Sequence, residues 1–245
     1  MQPEAVEMQV DGQTMRGRLY TPQGDAKPLA VLLLHGWTGR ANYDAAAMLT
    51  QHGYHVLALH IRGHGDSDGD INEVTFRNGL DDVTAAYDFL AAHIPAGMGI
   101  AVVGNSYGGY MAALLSRERP VVALSLRVPA AYTDDGFDAP KKGQGSNDPA
   151  VMEWRHTPHD WQGNRGFEAM HAFAGPVQII EAENDADVPH QTLENFKAAV
   201  ADPARLEYHF MKGWPHSLGS DPERNRVFQE LLLNWLDKVA AGMSA

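Results

Sequence analysis

Residues 101–115 read AVVGNSYGGYMAALL, an apolar run that enters the pattern Gly-x-Ser-x-Gly and leaves it in helix-forming residues. This order predicts a strand, a tight turn and a helix, with Ser106 at the apex of the turn. Glycines at positions 104 and 108 keep side chains out of the crowded turn. A serine on such an elbow projects its hydroxyl away from the sheet, where a histidine from elsewhere in the chain can deprotonate it.

The composition predicts a single α/β domain that spans residues 1–245. It also favours a function that acts on small molecules. The chain is 44% hydrophobic and 20% charged, which suffices for one large core, and no low-complexity linker divides it. The formal net charge is −12 and basic runs are absent. We therefore expect neither a nucleic-acid partner nor an anionic membrane surface as a partner.

Cysteine is missing from the sequence. Its absence excludes disulfides, thiolate zinc sites and a cysteine nucleophile, so serine remains as the candidate nucleophile. The sequence has neither a signal-peptide pattern nor a stretch of about 18 apolar residues, which predicts a cytoplasmic protein.

Eight strands are predicted. Residues 6–10 and 14–20 flank Asp11-Gly12, a dipeptide suited to a tight turn, and predict an antiparallel hairpin. Six further runs are short and mostly apolar, as in strands covered on both faces: 29–34, 56–59, 100–103, 121–126, 177–180 and 206–210. Helical patterns lie between or after most of them: 42–52, 79–93, 107–117, 191–200 and 222–240. The alternation predicts an α/β protein with a mainly parallel eight-stranded sheet and helices on both faces.

The stretch from 129 to 173 interrupts this alternation. It holds the loop GQGSNDP at 143–149 and has no strong strand pattern. Long insertions of this kind are uncommon in compact domains unless they are functional, so we predict a short cap or lid over a site. Four of its aromatic residues are expected either to line a substrate pocket or to form the core of the cap: Phe137, Trp154, Trp161 and Phe173.

Reactive groups are expected where parallel strands end, because the active sites of such sheets lie beyond the carboxyl ends of the strands. The strand at 177–180 leads into acidic residues that include Asp185 and Asp187, and the last strand leads into a loop that contains His216. His216 is the natural general base for Ser106, and an aspartate can orient it. Nucleophile, acid and base thus follow three separate strands, which predicts a catalytic triad.

A fourth strand end carries LLLHGWTG at 32–39, and its glycines let backbone amides approach a bound group. Acyl transfer places negative charge on the carbonyl oxygen, and a preorganised amide stabilises this oxyanion by roughly 3 to 4 kcal/mol. We assign the oxyanion hole to the backbone amides of Trp37 and Tyr107.

These elements together resemble the α/β-hydrolase superfamily over essentially the whole chain. The motifs that carry the resemblance are His-Gly-Trp at 35–37, Arg-Gly-His-Gly-Asp-Ser at 62–67, the elbow at 104–108, Asp-x-x-Val-Pro at 185–189 and the late loop histidine at 216.

The resemblance implies the α/β-hydrolase fold and a triad of Ser106, His216 and Asp185. Asp185 is preferred because members typically place the acid three residues before the Val-Pro pair, and Asp187 is the alternative. One position departs from the family, since many members have aspartate just before the Arg-Gly loop where this chain has His60.

A serine nucleophile favours hydrolysis of carboxylic esters through an acyl-enzyme, with a small-molecule ester as substrate. The loop at 36–39 and the short insertion resemble small bacterial esterases, including those that act on feruloyl or cinnamoyl esters. The elbow at 106–112 is also similar to that of acyl-peptide and prolyl-type peptidases, so a peptidase or amidase is the rival. A carbon–carbon bond hydrolase and a ligand receptor without turnover stay open.

We expect neither a cofactor nor a metal. His156 and His159 lack helical periodicity and nearby carboxylates, and the aspartates at 66, 68 and 70 lack the spacing of a calcium loop. Arg127 is expected to form a structural ion pair, with a substrate carboxylate as its less favoured partner. Oligomeric state and acyl preference stay open.

Overall fold

The computed structural model describes residues 3–243, and within them eight strands form one sheet. The strands are β1 (Glu4–Val10), β2 (Gln13–Tyr20), β3 (Leu29–Leu34), β4 (His55–His60), β5 (Gly99–Asn105), β6 (Ala123–Arg127), β7 (Val177–Asn184) and β8 (Leu206–Pro215). The α-helices of the described residues are α1 (Tyr43–Gln51), α2 (Phe76–His93), α3 (Tyr107–Glu118), α4 (Pro149–Arg155), α5 (Arg165–Ala172), α6 (His190–Ala199) and α7 (Pro222–Met243). In this part of the chain, no helix combines the length and apolar character that crossing a bilayer requires.

The sheet has the strand order β1-β2-β4-β3-β5-β6-β7-β8. β1 pairs with β2, and β2 with β4, in antiparallel register, whereas all later neighbours are parallel. Asp11 and Gly12 close the first hairpin with φ angles of 51° and 75°, the left-handed pair that a two-residue turn favours. The predicted mainly parallel, eight-stranded sheet is confirmed.

Helices cover both faces of the sheet and produce two hydrophobic cores. Alternate residues of β3 show this arrangement, because Leu32 packs with residues of α2 and α3 while Leu33 packs with residues of α1 and α7. Each central strand is therefore buried on both sides, which explains its continuous apolar sequence. At about 25 cal/mol per Å² of apolar area removed from water, this two-sided burial is the main stabilising contribution.

The two strands that lead towards the site are longer than their apolar runs predict. β7 continues to Asn184 and β8 continues to Pro215, where the prediction had ended at 180 and 210. Their parallel pairing continues to a register shift between Ala182 and Asn184. Backbone hydrogen bonds thus hold residues whose polar side chains break the apolar pattern.

The segment 129–173 contains two helices that its sequence pattern does not indicate, α4 and α5. They have only seven and eight residues, which is too short for a clear helical period. The four aromatic residues named in the prediction belong to the core or pack against it: Phe137, Trp154, Trp161 and Phe173. These rings pack in or against the core that is shared with the sheet and with α2 and α3, whereas the prediction had placed them in a substrate pocket or in a core of the cap itself.

Candidate active site

Ser106 lies in the sharp turn between β5 and α3. Its φ and ψ are 53° and −115°, a conformation that residues with a side chain rarely adopt. The Ser106 N–H donates to the Arg127 carbonyl, and the Ser106 carbonyl accepts from the Ala130 N–H, so the strained turn is tied to the end of β6. A Cβ at Gly108 would lie 2.5 Å from the Leu34 carbonyl oxygen, which explains the need for glycine there.

Ser106, His216 and Asp185 are brought together in one hydrogen-bonded chain. The Ser106 Oγ lies 3.1 Å from His216 Nε2, and His216 Nδ1 lies 2.7 Å from an Asp185 carboxylate oxygen. Because an ionised carboxylate can only accept, the proton is assigned to Nδ1, and Nε2 becomes the acceptor for the serine hydroxyl. A histidine in this tautomer can remove the serine proton.

Asp185 forms a hydrogen bond with His216, whereas Asp187 forms one with Ser146. One oxygen of Asp185 accepts the N–H groups of Asp187 and Val188 at 2.9 and 2.8 Å. These bonds hold the carboxylate, whose side chain is only 3% exposed, against the imidazole. Asp187 accepts the Ser146 hydroxyl at 2.6 Å. The structure therefore pairs the histidine with the acid that the resemblance favoured.

The loop after β3 passes directly beside the elbow. A Cβ built on Gly36 would lie 3.4 Å from the Ser106 Cβ. Within residues 3–243, the main-chain N–H groups of Trp37 and Tyr107 make no hydrogen bond. Unpaired N–H groups next to a nucleophile are what an oxyanion hole requires, and this role of the two residues stays a prediction.

An open cavity of about 1200 Å³ adjoins the serine and histidine of the hydrogen-bonded chain. Enclosed ligand pockets measure about 300 to 1000 Å³, so the space is ample for a small molecule. The segment 129–173 lines it with Tyr132, Lys141 and Arg155, among others. Sequence patterns gave no signal for the lysine and the arginine, whose neighbours read PKKG and EWRH like ordinary polar surface.

Known proteins of similar sequence and structure agree with this architecture. The family model described as Hydrolase_4, Serine aminopeptidase, S33, matches residues 26–142. Non-heme chloroperoxidase CPO-A1 of Kitasatospora aureofaciens is 26% identical over 269 residues, covering 89% of this chain and 95% of that protein. Est1E of Butyrivibrio proteoclasticus, solved with bound ferulic acid, superposes with a TM-score of 0.72 at 19% identity, covering 96% of this chain and 99% of its own. Esterase Pf2001 of Pyrococcus furiosus superposes with a TM-score of 0.71 at 19% identity, covering 97% and 92%.

The chain has the α/β-hydrolase fold. The predicted resemblance to that superfamily is thereby confirmed. In this hydrolase fold the strands place Ser106, Asp185 and His216 at the ends of β5, β7 and β8. These are the strand ends at which the sequence predicted them.

Arg127, at the end of β6 in the hydrolase fold, positions the loop of His216. Its guanidinium donates to the Asn105 side-chain oxygen at 3.0 Å and to the His216 carbonyl at 2.9 Å. The expected structural ion pair is not formed, since no carboxylate in residues 3–243 pairs with Arg127. Burial lowers the pKa of Arg127 to about 10, and nearby Asp185 opposes that change. The arginine therefore stays charged at neutral pH.

Two buried histidines fix the loop after β3. His35 Nε2 accepts the Ile61 N–H, so His35 Nδ1 donates to the Gly36 carbonyl at 2.8 Å. His64 Nε2 accepts the Thr38 N–H in the same way. Each ring must be neutral to accept such a bond. Burial lowers the pKa of both, that of His35 to about 3.

We expect acid to destabilise the fold through His35. Its folded-state pKa of about 3 lies below the ordinary value of 6.5. Between these two pH values, the imidazole is protonated in the unfolded chain but stays neutral in the folded chain. The stability contributed by the neutral ring is complete above about pH 6.5 and is lost as the pH falls towards 3. In His35→Gln, an amide oxygen can still accept the Ile61 N–H but does not titrate. Between about pH 7 and pH 4, the melting temperature should fall less in this variant than in the wild type, and equal falls would contradict the assignment.

Two groups of side chains in residues 3–243 have metal-ligand spacing. Each places three ligand atoms within 4.8 Å of one another: Asp185 with Asp187 and His216, and Glu181 with His190 and Glu194. In the first group, a metal would compete with the hydrogen bond between His216 and Asp185. In the second, the Glu181 carboxylate already accepts from His190 and from the Tyr208 hydroxyl. Hydrogen bonding accounts for both groups.

Proposed function

We propose that the chain is a serine hydrolase that cleaves carboxylic esters through an acyl-enzyme on Ser106. The observation that carries the proposal is the continuous chain from Ser106 through His216 to Asp185, at 3.1 and 2.7 Å, beside an open cavity. The matched hydrolase family model and the esterases among the structural neighbours support hydrolysis as the class of reaction.

The geometry supports a two-step mechanism. His216 Nε2 takes the hydroxyl proton while Ser106 Oγ attacks the ester carbonyl, and Asp185 stabilises the imidazolium that forms. The N–H groups of Trp37 and Tyr107 would receive the oxyanion. His216 then returns the proton to the leaving alcohol, and a water activated by the same imidazole releases the acid from the serine.

The charges around the cavity favour an ester over the free amino terminus of a peptide. In the described residues, four cationic side chains line the cavity and only two carboxylates do so: Arg40, Arg127, Lys141 and Arg155 against Asp44 and Asp187. The ammonium group of an aminopeptidase substrate would meet this excess of like charge. An ester substrate carries no such group.

The segment 129–173 is proposed as the cap of the site, within a single domain that spans residues 1–245. It supplies Tyr132, Lys141 and Arg155 to the cavity wall while its large aromatic rings anchor it to the core. A cap of this kind would determine which acids and alcohols fit beside the nucleophile, because its residues form part of the cavity wall.

Initial rates on matched substrates test the proposal. We expect p-nitrophenyl acetate to be cleaved faster than an N-acyl amino-acid p-nitroanilide, because nitrophenolate can leave as an anion, whereas the anilide nitrogen must receive a proton from the imidazole as it leaves. Methyl ferulate belongs in the panel because Est1E binds ferulic acid. His216→Ala should lose turnover of every ester. Faster cleavage of the anilide would indicate a peptidase, and tight binding of esters without turnover would indicate a receptor.

A further inference from the structure

Lys141 is a buried lysine on the wall of the active-site cavity, and no acidic side chain of residues 3–243 pairs with it. The residue is only 4% exposed. Its Nζ lies 4.2 Å from the centre of the Trp37 ring, 5.1 Å from that of Tyr132 and 5.7 Å from that of Tyr107. Within residues 3–243, this ammonium group makes no hydrogen bond or ion pair. Ring faces attract a cation but leave its N–H donors without strong acceptors.

A second buried cation, Arg155, approaches the same place. It is 2% exposed, and its guanidinium donates to the carbonyl oxygens of Ala131 and Asp187 at 3.0 and 2.8 Å. Its central carbon lies 4.9 Å from the centre of the Tyr132 ring, which also faces the lysine. Burial and, to a smaller extent, the charge of Arg155 lower the pKa of Lys141 to about 7. Within residues 3–243, neither positive group forms an ion pair with a carboxylate, and the nearby Asp187 carboxylate accepts the Ser146 hydroxyl instead.

Such an arrangement is costly unless a ligand completes it. Burial penalises the charged form of a lysine, and an uncompensated charge in a protein is destabilising. The chain has 31 acidic side chains and 19 lysines and arginines, so acidic partners are in excess. Lys197, for example, pairs with Glu194 at 2.7 Å. Because the Lys141 ammonium beside the nucleophile has no such partner in the described residues, we infer that the substrate supplies the negative charge.

We propose that the substrate carries a carboxylate besides its ester, and that this carboxylate binds Lys141 and Arg155 while the ester carbonyl lies at Ser106. The inference rests on the proposed function and names its substrate class, the esters that bear a free carboxylate, such as half-esters of dicarboxylic acids. The ammonium supplies three donors, and none of them is used by the described part of the chain. The rings of Trp37 and Tyr132 exclude water from the ion pair and pack on the apolar spacer.

Two matched substrate pairs test the proposal. The carboxylate lies on the acyl side in mono-p-nitrophenyl adipate, with p-nitrophenyl hexanoate as its neutral counterpart. It lies on the alcohol side in 4-acetoxybutanoate, with butyl acetate as the neutral counterpart. In one of the pairs, we expect kcat/KM to be about 10- to 100-fold higher for the charged ester, which corresponds to a hydrogen-bonded ion pair. No preference in either pair would overturn the inference.

Two lysine variants separate recognition from a structural role. Lys141→Met should remove the preference for the charged ester and leave the neutral ester within about threefold of wild type, because the aliphatic stem still packs on the rings. Lys142→Met, at the exposed neighbouring position, should keep the full preference. If Lys141→Met lowers the rates on both esters equally while its melting temperature is unchanged, the lysine only supports the cap and the inference fails.

The pH dependence of the preference for the charged ester is an independent test of the role of Lys141. Since the pKa of Lys141 is about 7, its ammonium is present below that pH and is lost above it. The ratio of kcat/KM for charged over neutral ester should therefore decline as the pH rises through about 7, because any effect that acts equally on both esters cancels in the ratio. The charged group that faces the lysine is Arg155, and the titratable groups are His64, Tyr107 and Tyr132. Burial is the main cause that lowers the pKa of His64 and raises the pKa of each tyrosine. A ratio that is constant from about pH 6 to pH 8 would contradict the role of the ammonium.

Binding without turnover distinguishes failure of this inference from failure of the proposed function. Monomethyl adipate should bind to Ser106→Ala at least about tenfold more tightly than to the double variant with Lys141→Met, as measured by calorimetry. Lysine-dependent binding in a chain that turns over no ester would retain the inference and refute esterase activity. Equal binding by both variants, with ester turnover intact in the wild type, would refute the inference alone.

Discussion

Replacing Ser106 with alanine is expected to lower kcat for p-nitrophenyl acetate by at least about 10⁴-fold. The substitution removes the hydroxyl that lies 3.1 Å from His216 Nε2, and with it the covalent route through an acyl-enzyme. A small residual rate should remain, because the imidazole and the unpaired N–H groups can still activate water and polarise the ester. The release of nitrophenolate, followed by absorbance, measures both rates.

Ser116→Ala is the matched control for this variant. Ser116 lies on the same helix, α3, and its hydroxyl donates to the Ala113 carbonyl at 2.6 Å. Its loss should leave kcat unchanged, since none of its hydrogen bonds reaches the triad. If Ser106→Ala keeps more than about a tenth of wild-type kcat while it remains folded, Ser106 is not the nucleophile.

Replacing Asp185 with asparagine is expected to lower kcat about 10⁴-fold, whereas Asp187→Asn should stay within about threefold of wild type. An amide in place of the Asp185 carboxylate can donate to His216 Nδ1. That bond would stabilise the tautomer with its proton on Nε2, which cannot accept the serine proton. In Asp187→Asn, the new amide oxygen can still accept the Ser146 hydroxyl, so the hydrogen bond at that position is conserved.

The kcat values of Asp185→Asn and Asp187→Asn are compared on one ester at one pH. Melting temperatures verify that both variants are folded. The buried Asp185 side chain, 3% exposed, makes the choice of the isosteric amide important, because a smaller residue would leave a cavity. The reverse order of effects, with Asp187→Asn the inactive variant, would assign the orienting role to Asp187.

The fold could be predicted because its signals are local. The apolar run before Ser106, the glycines around it and the helix-forming residues after it all lie within fifteen positions, 101–115. Each central strand is buried on both faces, so hydrophobicity alone marks it. The strand ends were harder to predict, because β7 and β8 continue through polar residues that only inter-strand pairing holds.

The candidate site could be predicted as a set of residue types but not as contacts. Sequence order alone left Asp185 and Asp187 open, and the resemblance was needed to prefer the first. The pairing is visible only in the structure, where two backbone N–H groups orient the Asp185 carboxylate towards His216. Arg127 was expected to pair with an acid, yet tertiary packing gives it the Asn105 and His216 oxygens instead.

Lys141 and Arg155, the two buried cations that the proposal assigns to the substrate carboxylate, had no sequence signal. Lys141 is followed by another lysine and a glycine, a pattern typical of an exposed loop. Its burial depends on Trp37, more than a hundred positions earlier, and on Tyr132 in the proposed cap. Contacts between residues so distant in sequence depend on the tertiary fold. The periodicity of hydrophobic residues predicts local secondary structure and does not predict such contacts.

Covalent labelling with a fluorophosphonate, followed by mass spectrometry, tests the central claim most directly. The reagent phosphonylates an activated serine and requires no knowledge of the natural substrate. Trypsin should release residues 78–117 as one peptide, which contains both Ser106 and the control Ser116. We predict a single adduct on Ser106 in the wild type and none in Ser106→Ala. An adduct on another residue, or equal labelling of the two proteins, would contradict the assignment of Ser106 as the nucleophile.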